Sequence, residues 1–332
     1  MAFRSAAYWD LEATFEPMTG DDRHHFTGAL VSVDGTRVAT GRDFDESGAL
    51  TRSEVVVLDE ATTVTLRDQL VDRPVAVRSV ERKPYTRRPY PPFITSTLQV
   101  EAGRKLRFSS SQTMSLAQTL YQNGFITYMR TDSTTLSDTA LTAARSQILE
   151  RYGKDYLPDQ PRQYTKKVKN AQEAHEAIRP AGDRFRTPEE VRSQLGTNEY
   201  RLYELIWQRT IASQMTDARG ESVSIRMTAQ TGDGREAEFA SSGRTIKFPG
   251  FLRAYVEASE DGGETDDSER VLPDLNEGDA VRNVEMEVRH HETQPPSRYT
   301  EASLVKRLEE LGVGRPSTYA ATISTIRGAG RR

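Results

Sequence analysis

The sequence predicts an α+β, multidomain chain in which an all-α domain is inserted into a β-rich one. Three observations carry this. Apolar and polar residues alternate with the period of a half-buried strand near the start of the chain and again after residue 216. Between these parts lies a series of helix-period segments with caps. A run rich in Pro and Arg, Lys83-Pro84 to Pro91-Pro92, reads as a linker or hinge between the first β part and the helices. The divisions expected are 1–87, a first pass of the β-rich domain; 88–215, the inserted helical domain; 216–289, a second β-rich pass; and 290–332, part of a further helical domain. A chain of 332 residues is long enough for two or three domains.

In order, Trp9, Leu11, Ala13 and Phe15 alternate with Asp10, Glu12 and Thr14 as a strand. No lead-in precedes this strand, which suggests a cut start. Ala29 to Val33 is a second strand, and Asp34-Gly35 after it signals a hairpin. Asp59 caps a helix carrying Val64, Leu66 and Leu70, and Val75 to Val80 is strand-like again. Ser111 to Asn123 is a helix with Met114, Ala117, Leu120 and Tyr121 on one side, closed by Gly124. Ser137 to Tyr152 is a helix closed by Gly153. Thr187-Pro188-Glu189-Glu190 has a capping Thr, Pro at the first helical position and Glu at the third. A helix from about Glu199 to Met215 carries Leu202, Leu205 and Ile206. Val223, Ile225, Met227 and Ala229 restore the β period before a turn at Gly232-Asp233-Gly234, and Val284, Met286 and Val288 form a last strand. Thr300 caps a helix with Leu304, Val305, Leu308 and Leu311, closed by Gly312. A second helix starts with Pro316 in its first turn, giving a helix-turn-helix-like pair. No internal repeat is present.

Composition excludes several classes of function. With 36% hydrophobic and 28% charged residues the chain is an ordinary soluble protein, and no run of about 20 apolar residues offers a membrane span. The absence of cysteine rules out disulfides, thiol catalysis and cysteine metal sites. With no signal peptide, a cytoplasmic location fits. The formal net charge is −4, yet the basic residues are grouped: Arg78, Arg82, Lys83, Arg87 and Arg88; Arg104, Lys105 and Arg107; Lys166, Lys167 and Lys169. Single basic runs are usually solvated faces, but three around one reactive stretch favour a nucleic-acid partner. Acid gathers between Glu260 and Glu269. Asp266, Asp267 and Glu269 there read as a solvated loop, since hard cations need rigid, converging oxygens. No metal ligand is expected within the chain.

The stretch that organises the rest is Gly124-Phe125-Ile126-Thr127-Tyr128-Met129-Arg130-Thr131-Asp132-Ser133. It reads as extended, so Tyr128 and Arg130 share a face. A phenol ionises near a pKa of about 10, well below a sugar hydroxyl. It is therefore the easier nucleophile to make and the better group to expel. A planar guanidinium beside it can hold phosphate oxygens. Asp132 and Ser133 can cap the helix that follows. Alone, a Tyr-x-Arg pair is commonplace and says little. A second segment, Ala174-His175-Glu176-Ala177-Ile178-Arg179-Pro180, would place His175 and Arg179 four apart on one helix face. His can relay a proton near neutral pH. At Gly314-Arg315-Pro316-Ser317-Thr318-Tyr319 a helix start could offer backbone N–H groups, Ser317 and Thr318 to an anion.

Gly-Phe-Ile-Thr-Tyr-Met-Arg-Thr-Asp-Ser-Thr resembles the active-site segment of type IA DNA topoisomerases. So do Phe93-Ile94-Thr95-Ser96-Thr97-Leu98-Gln99, the His175 segment, Gln294 to Leu304 and the Arg315 segment, all in family order. The first of these favours the bacterial topoisomerase I branch over topoisomerase III and reverse gyrase. The resemblance implies Tyr128 as nucleophile, Arg130 and His175 as catalytic partners, and Gln118, Asp132, Ser133, Arg179, Arg315, Ser317 and Thr318 at the DNA. It implies a transient single-strand break through a 5′-phosphotyrosine and relaxation of negatively supercoiled DNA. It further implies single-stranded and negatively supercoiled DNA as partners, a nucleoid-associated monomer, and Mg²⁺ in the intact enzyme. Family members begin with a Toprim domain that supplies a glutamate and the acidic Mg²⁺ cluster, and no such cluster occurs here. The chain is thus expected to be a fragment, inactive alone. The competing reading is a non-catalytic single-stranded-DNA-binding fragment.

Overall fold

In the computed structural model, residues 3–18, 24–164, 176–255 and 271–329 are described. The chain divides into two compact units, each built from three stretches: Met1–Tyr85, Gly220–Lys247 and Glu269–Ser297 in the first, Thr86–Arg219, Phe248–Ser268 and Arg298–Arg332 in the second.

The first unit is β-rich. Its strands are β1 (Ala7–Pro17), β2 (Phe26–Val33), β3 (Thr36–Val38), the short β4 (Val55–Val56), β5 (Val75–Arg87), β6 (Ala218–Gln230), β7 (Glu236–Phe248) and β8 (Ala280–Glu292), with one helix, α1 (Glu60–Leu70). Among the described residues the sheet order is β1-β8-β5-β6-β7-β2-β3-β4, and β1 also pairs with β2. Six strands thereby close on themselves, which removes free edges from that ring. The alternation in β1 works as read: Leu11, Ala13 and Phe15 are buried. They join Phe26, Leu30, Met227, Phe239 and Val281 in one apolar core, against which Leu66 and Leu70 of α1 also pack. Asp34 and Gly35 both adopt positive φ, 49° and 73°, as a two-residue primed turn requires. The Asp59 carboxylate accepts from Thr62 N at 2.8 Å and caps α1.

One boundary differs from the sequence reading. Lys83 to Arg87 are not linker but the end of β5. A Cβ built on Gly220 would lie 2.6 Å from the Tyr85 ring, so that ring rests on bare glycine backbone. Strand pairing and this contact override the local Pro and Arg composition. The acidic run 260–269 and Lys166, Lys167 and Lys169 lie outside the described residues.

The second unit is helical: α2 (Thr95–Glu101), α3 (Ser110–Gln122), α4 (Asp138–Tyr152), α5 (Pro188–Val191), α6 (Thr197–Ser213), α7 (Glu301–Glu310) and α8 (Tyr319–Ala329). Helix α6 is the central rod. Leu202, Tyr203, Leu205, Ile206, Trp207 and Ile211 are all buried, a broad arc that leaves one side, with Arg201, Glu204 and Gln208, half-buried. The C-terminal helices, expected as a domain of their own, cluster with the inserted helices. Val100 at the end of α2 forms a small apolar cluster with Ala302, Val305, Tyr319 and Ile323. The Glu301 carboxylate also accepts from the Ser110 backbone N at 2.8 Å, at the start of α3. No helix among the described residues is long and apolar enough to cross a membrane.

Candidate active site

The site begins where α3 stops. Gly124 takes a positive φ of 71°, its N–H donates to Tyr121 O at 2.9 Å, and Phe125 N donates to Leu120 O at 2.8 Å. This pair of bonds is the Schellman closure, and glycine supplies its left-handed residue without a Cβ penalty. Phe125 then dives into the core, edge-on to Tyr203, with the Arg186 guanidinium over its outer face.

From here the chain is extended but is no regular strand. An isolated bridge joins Ile126 to Pro180. Thr127 N donates to Arg179 O at 2.9 Å, and its hydroxyl donates to Ala177 O at 2.7 Å. On the other side of Tyr128, the Thr95 hydroxyl donates to Met129 O at 2.8 Å and accepts from Thr131 N at 2.9 Å. Met129 and Thr131 are buried, whereas Tyr128 is 45% exposed and Arg130 is exposed. The alternation expected of a strand therefore holds without a sheet, because two threonine clamps fix the backbone. The Tyr128 ring lies edge-on to Tyr121, with centroids 5.3 Å apart. Among the described residues the Arg130 guanidinium has no ion-pair partner. Gln118, one turn before Tyr121 on α3, is half-buried with no recorded partner for its amide among the described residues.

Asp132 and Ser133 do not cap the next helix. That role falls to Ser137, whose hydroxyl accepts from Ala140 N at 3.3 Å. Ser133 is instead held in a turn: its N–H donates to the Thr131 hydroxyl and its own hydroxyl accepts from Thr135 N. Four intervening residues separate Ser133 from α4, so the expected cap lay too early.

His175 lies outside the described residues, and 176–180 is extended rather than helical. Ile178 and Pro180 make bridges to Phe93 and Ile126, pairings that a helix would forbid. Arg179 is 8% exposed and turns inward. Its Nε and one terminal nitrogen grip the Glu176 carboxylate at 2.8 and 2.9 Å, and the other terminal nitrogen donates to Pro180 O and Gly182 O. Four of the fork's five N–H groups are thus spent on the protein. Burial pushes the Glu176 carboxyl up, but hydrogen bonds from Arg179 and Ser137 outweigh it and hold the group below the usual carboxylate range.

Arg315 is exposed, and α8 begins at Tyr319, later than the Pro316 start expected. The residues between form a tight turn. Arg315 N donates to the Thr318 hydroxyl at 2.8 Å, and Thr318 N donates to Arg315 O at 2.9 Å. Thr318 is thereby used up in shaping the turn, while Ser317 stays exposed. A cavity of about 310 Å³ brings this turn to the stretch that follows Tyr128, lined among others by Ser96, Thr131, Asp132, Arg315 and Tyr319. Burial pushes the Tyr319 phenol up; the Glu309 and Asp132 carboxylates add to this and Arg315 opposes it. Asp132 and Arg315, 183 positions apart in sequence, therefore share one concave surface.

Sequence reasoning missed three residues that build the site. Thr95 clamps both Met129 and Thr131, Glu176 holds Arg179, and Tyr121 touches Tyr128 instead of facing the core. Thr95 and Glu176 lie in the Phe93–Gln99 and Ala174–Pro180 segments, but a hydroxyl or carboxylate does not announce its partner. Among the described residues no group of three or more His, Asp or Glu could hold a metal ion, so the Mg²⁺ expected of the intact enzyme finds no fitting site there.

A family model described as DNA topoisomerase matches residues 1–330. DNA topoisomerase 1 of Mycolicibacterium smegmatis is 59% identical over 99% of this chain and 36% of its own length. That of Streptomyces coelicolor is 58% identical over 98% of this chain and 34% of its own length. The chain thus spans about a third of the length of the curated relatives it matches. The solved full-length topoisomerase I of Thermotoga maritima has the same fold, with a TM-score of 0.71 and 33% identity, covering 98% of this chain and 47% of that one. With Tyr128 exposed on a doubly clamped stretch and a family match that runs nearly end to end, the chain belongs to the DNA topoisomerase family, on its bacterial topoisomerase I branch.

Proposed function

We propose that this chain is the nucleophile-bearing part of a type IA DNA topoisomerase and that Tyr128 attacks the phosphodiester. The observation that carries this is the exposed Tyr128–Arg130 pair on a backbone fixed on both sides by Thr127 and Thr95. In cleavage the Tyr128 oxygen bonds to phosphorus and the bond from phosphorus to the 3′ oxygen breaks. The phenolic proton passes to a base, and the departing 3′ oxygen takes up a proton. The phosphotyrosine ester conserves the energy of the broken bond, so the reverse attack reseals the strand without ATP. Arg130 is suited to hold the non-bridging oxygens as charge grows on them. Arg315, Asp132, Ser133, Gln118 and Ser317 line the path proposed for a single strand, with Thr318 shaping its turn. Arg179 is read as a brace for the Thr127 clamp. His175 is proposed as a proton relay. Mg²⁺ is proposed for the intact enzyme, held by groups other than the described residues, and no step is routed through it here. The closed ring of strands is read as the hinge on which strand passage depends. The intact protein is proposed to act as a monomer on negatively supercoiled DNA in the nucleoid.

The test is Tyr128→Phe in a chimera that supplies the rest of a relative. A phenyl ring keeps the packing and loses the nucleophile. Single-stranded oligonucleotide should still bind, while the covalent protein–DNA adduct seen in a denaturing gel disappears. An adduct formed at the parental level would refute the assignment.

A further inference from the structure

Tyr121 has no evident reason to be aromatic. It stands on the last turn of α3, where Ala117 and Leu120 fill the core, yet its own side chain is 41% exposed. What it touches is Tyr128: the rings meet edge-on at 5.3 Å and an interplanar angle of 67°. The backbone at both positions is already fixed. The Gly124 N–H ties Tyr121 O at 2.9 Å, and the Thr127 and Thr95 hydroxyls tie the stretch around Tyr128. Only the Tyr128 side-chain torsions are left open. The phenol has no recorded hydrogen-bond partner among the described residues. A tyrosine that is half in solvent, with nothing on its hydroxyl, spreads over several staggered rotamers unless its ring is packed. We propose that Tyr121 is a positioning residue for Tyr128: its ring selects the rotamer that carries the Tyr128 oxygen to the phosphate.

This rests on Tyr128 being the nucleophile and adds to that reading how its oxygen is aimed. An edge-to-face aromatic contact biases a rotamer population by about 3- to 10-fold. Attack demands a narrow range of approach, so that bias should appear in the cleavage step and leave DNA affinity alone. A stacking platform for bases would behave in the opposite way, since stacking is lost from affinity.

The experiment compares Tyr121→Phe and Tyr121→Leu in the chimera by single-turnover cleavage of a single-stranded oligonucleotide and by its Kd. Tyr121→Phe should cleave at close to the parental rate. Tyr121→Leu should cleave about 3- to 10-fold more slowly, with Kd and thermal midpoint unchanged. Parental cleavage by Tyr121→Leu overturns the proposal, and so does a loss confined to Kd. Should Tyr128→Phe itself still cleave, the nucleophile reading fails, a result distinct from either. A second measurement uses the chain alone with ¹³C-labelled tyrosine. The Tyr128 ring signal, assigned through Tyr128→Phe, should move in Tyr121→Leu and stay in Tyr121→Phe. An unmoved signal in Tyr121→Leu would show that the two rings do not hold one another.

Discussion

Arg179 shows how a residue can match a motif while most of its donors are taken up within the protein. Its fork closes on Glu176 and two carbonyls, and Glu176 in turn accepts from Ser137 N at 2.8 Å, at the start of α4. Removing the guanidinium would leave a half-buried carboxylate without its partner. We expect Arg179→Ala to cost about 2–4 kcal/mol, toward the lower side of what breaking a buried pair costs because Glu176 keeps some solvent, measured by urea unfolding of the chain. The same pair sets an acid limit. A carboxyl held low in the fold contributes stability that is complete above its unfolded value, about 4.3, and is lost as pH falls through the lower folded one. Glu176→Gln should therefore flatten the fall in thermal midpoint below that pH, and an unchanged profile would deny Glu176 this role. The sequence made the exposure of Tyr128 and Arg130 legible, because alternation is local. It could not show where Arg179 points, since two carbonyls and a carboxylate compete with phosphate for the same fork.

Helix ends were the most readable elements. Asp59, Thr187 and Thr300 each cap the helix assigned to them, with side chains accepting from Thr62, Glu190 and Ser303 N–H groups. A cap is settled within four residues, so it survives the absence of tertiary information. Two other boundaries were misplaced, one set by a turn of four residues and one by a distant contact. Helix α8 opens at Tyr319 after a turn locked by Thr318, and β5 runs on to Arg87 where Tyr85 lies against Gly220. The end of α3 is the junction with most consequence for the site. Gly124 has nothing within 4 Å of an added Cβ, so Gly124→Ala meets backbone strain alone. The expected loss is about 1–2 kcal/mol, read as a lower thermal midpoint. A variant as stable as the parent would mean that the closure of α3 does not need its left-handed residue.

Across the whole molecule, the net charge of −4 gives a poor guide to binding, because affinity for a strand follows the few cations that meet phosphates. Arg130 and Arg315 are exposed and are the two cations proposed for that role. Binding of single-stranded oligonucleotide should weaken as salt rises, with a log–log slope of about −0.7 for each phosphate neutralised. Arg315→Ala should make that slope shallower by about the same 0.7, and a slope that does not change would remove Arg315 from the interface. The insertion of helices between two β passes could be seen in the sequence because each part keeps one period over many residues. That α7 and α8 join the inserted helices could not, since Val100 and Ala302 meet across some 200 positions. One pairing already described also sets a timetable. Strand β1 lies along β8 from Ala7↔Glu292 to Pro17↔Val281. A ribosome adding about 5–20 residues per second needs roughly 13–50 s to travel between those two strands. Throughout that interval β1 has no β8 to lie against, whereas α3, α4 and α6 are all complete before β8 begins and can pack on one another. Contacts of such long range are slow to form even in a finished chain. The inserted helices around Tyr128 are thus free to pack on one another while the ring of strands still waits for its last member, and α7 and α8 join them only afterwards.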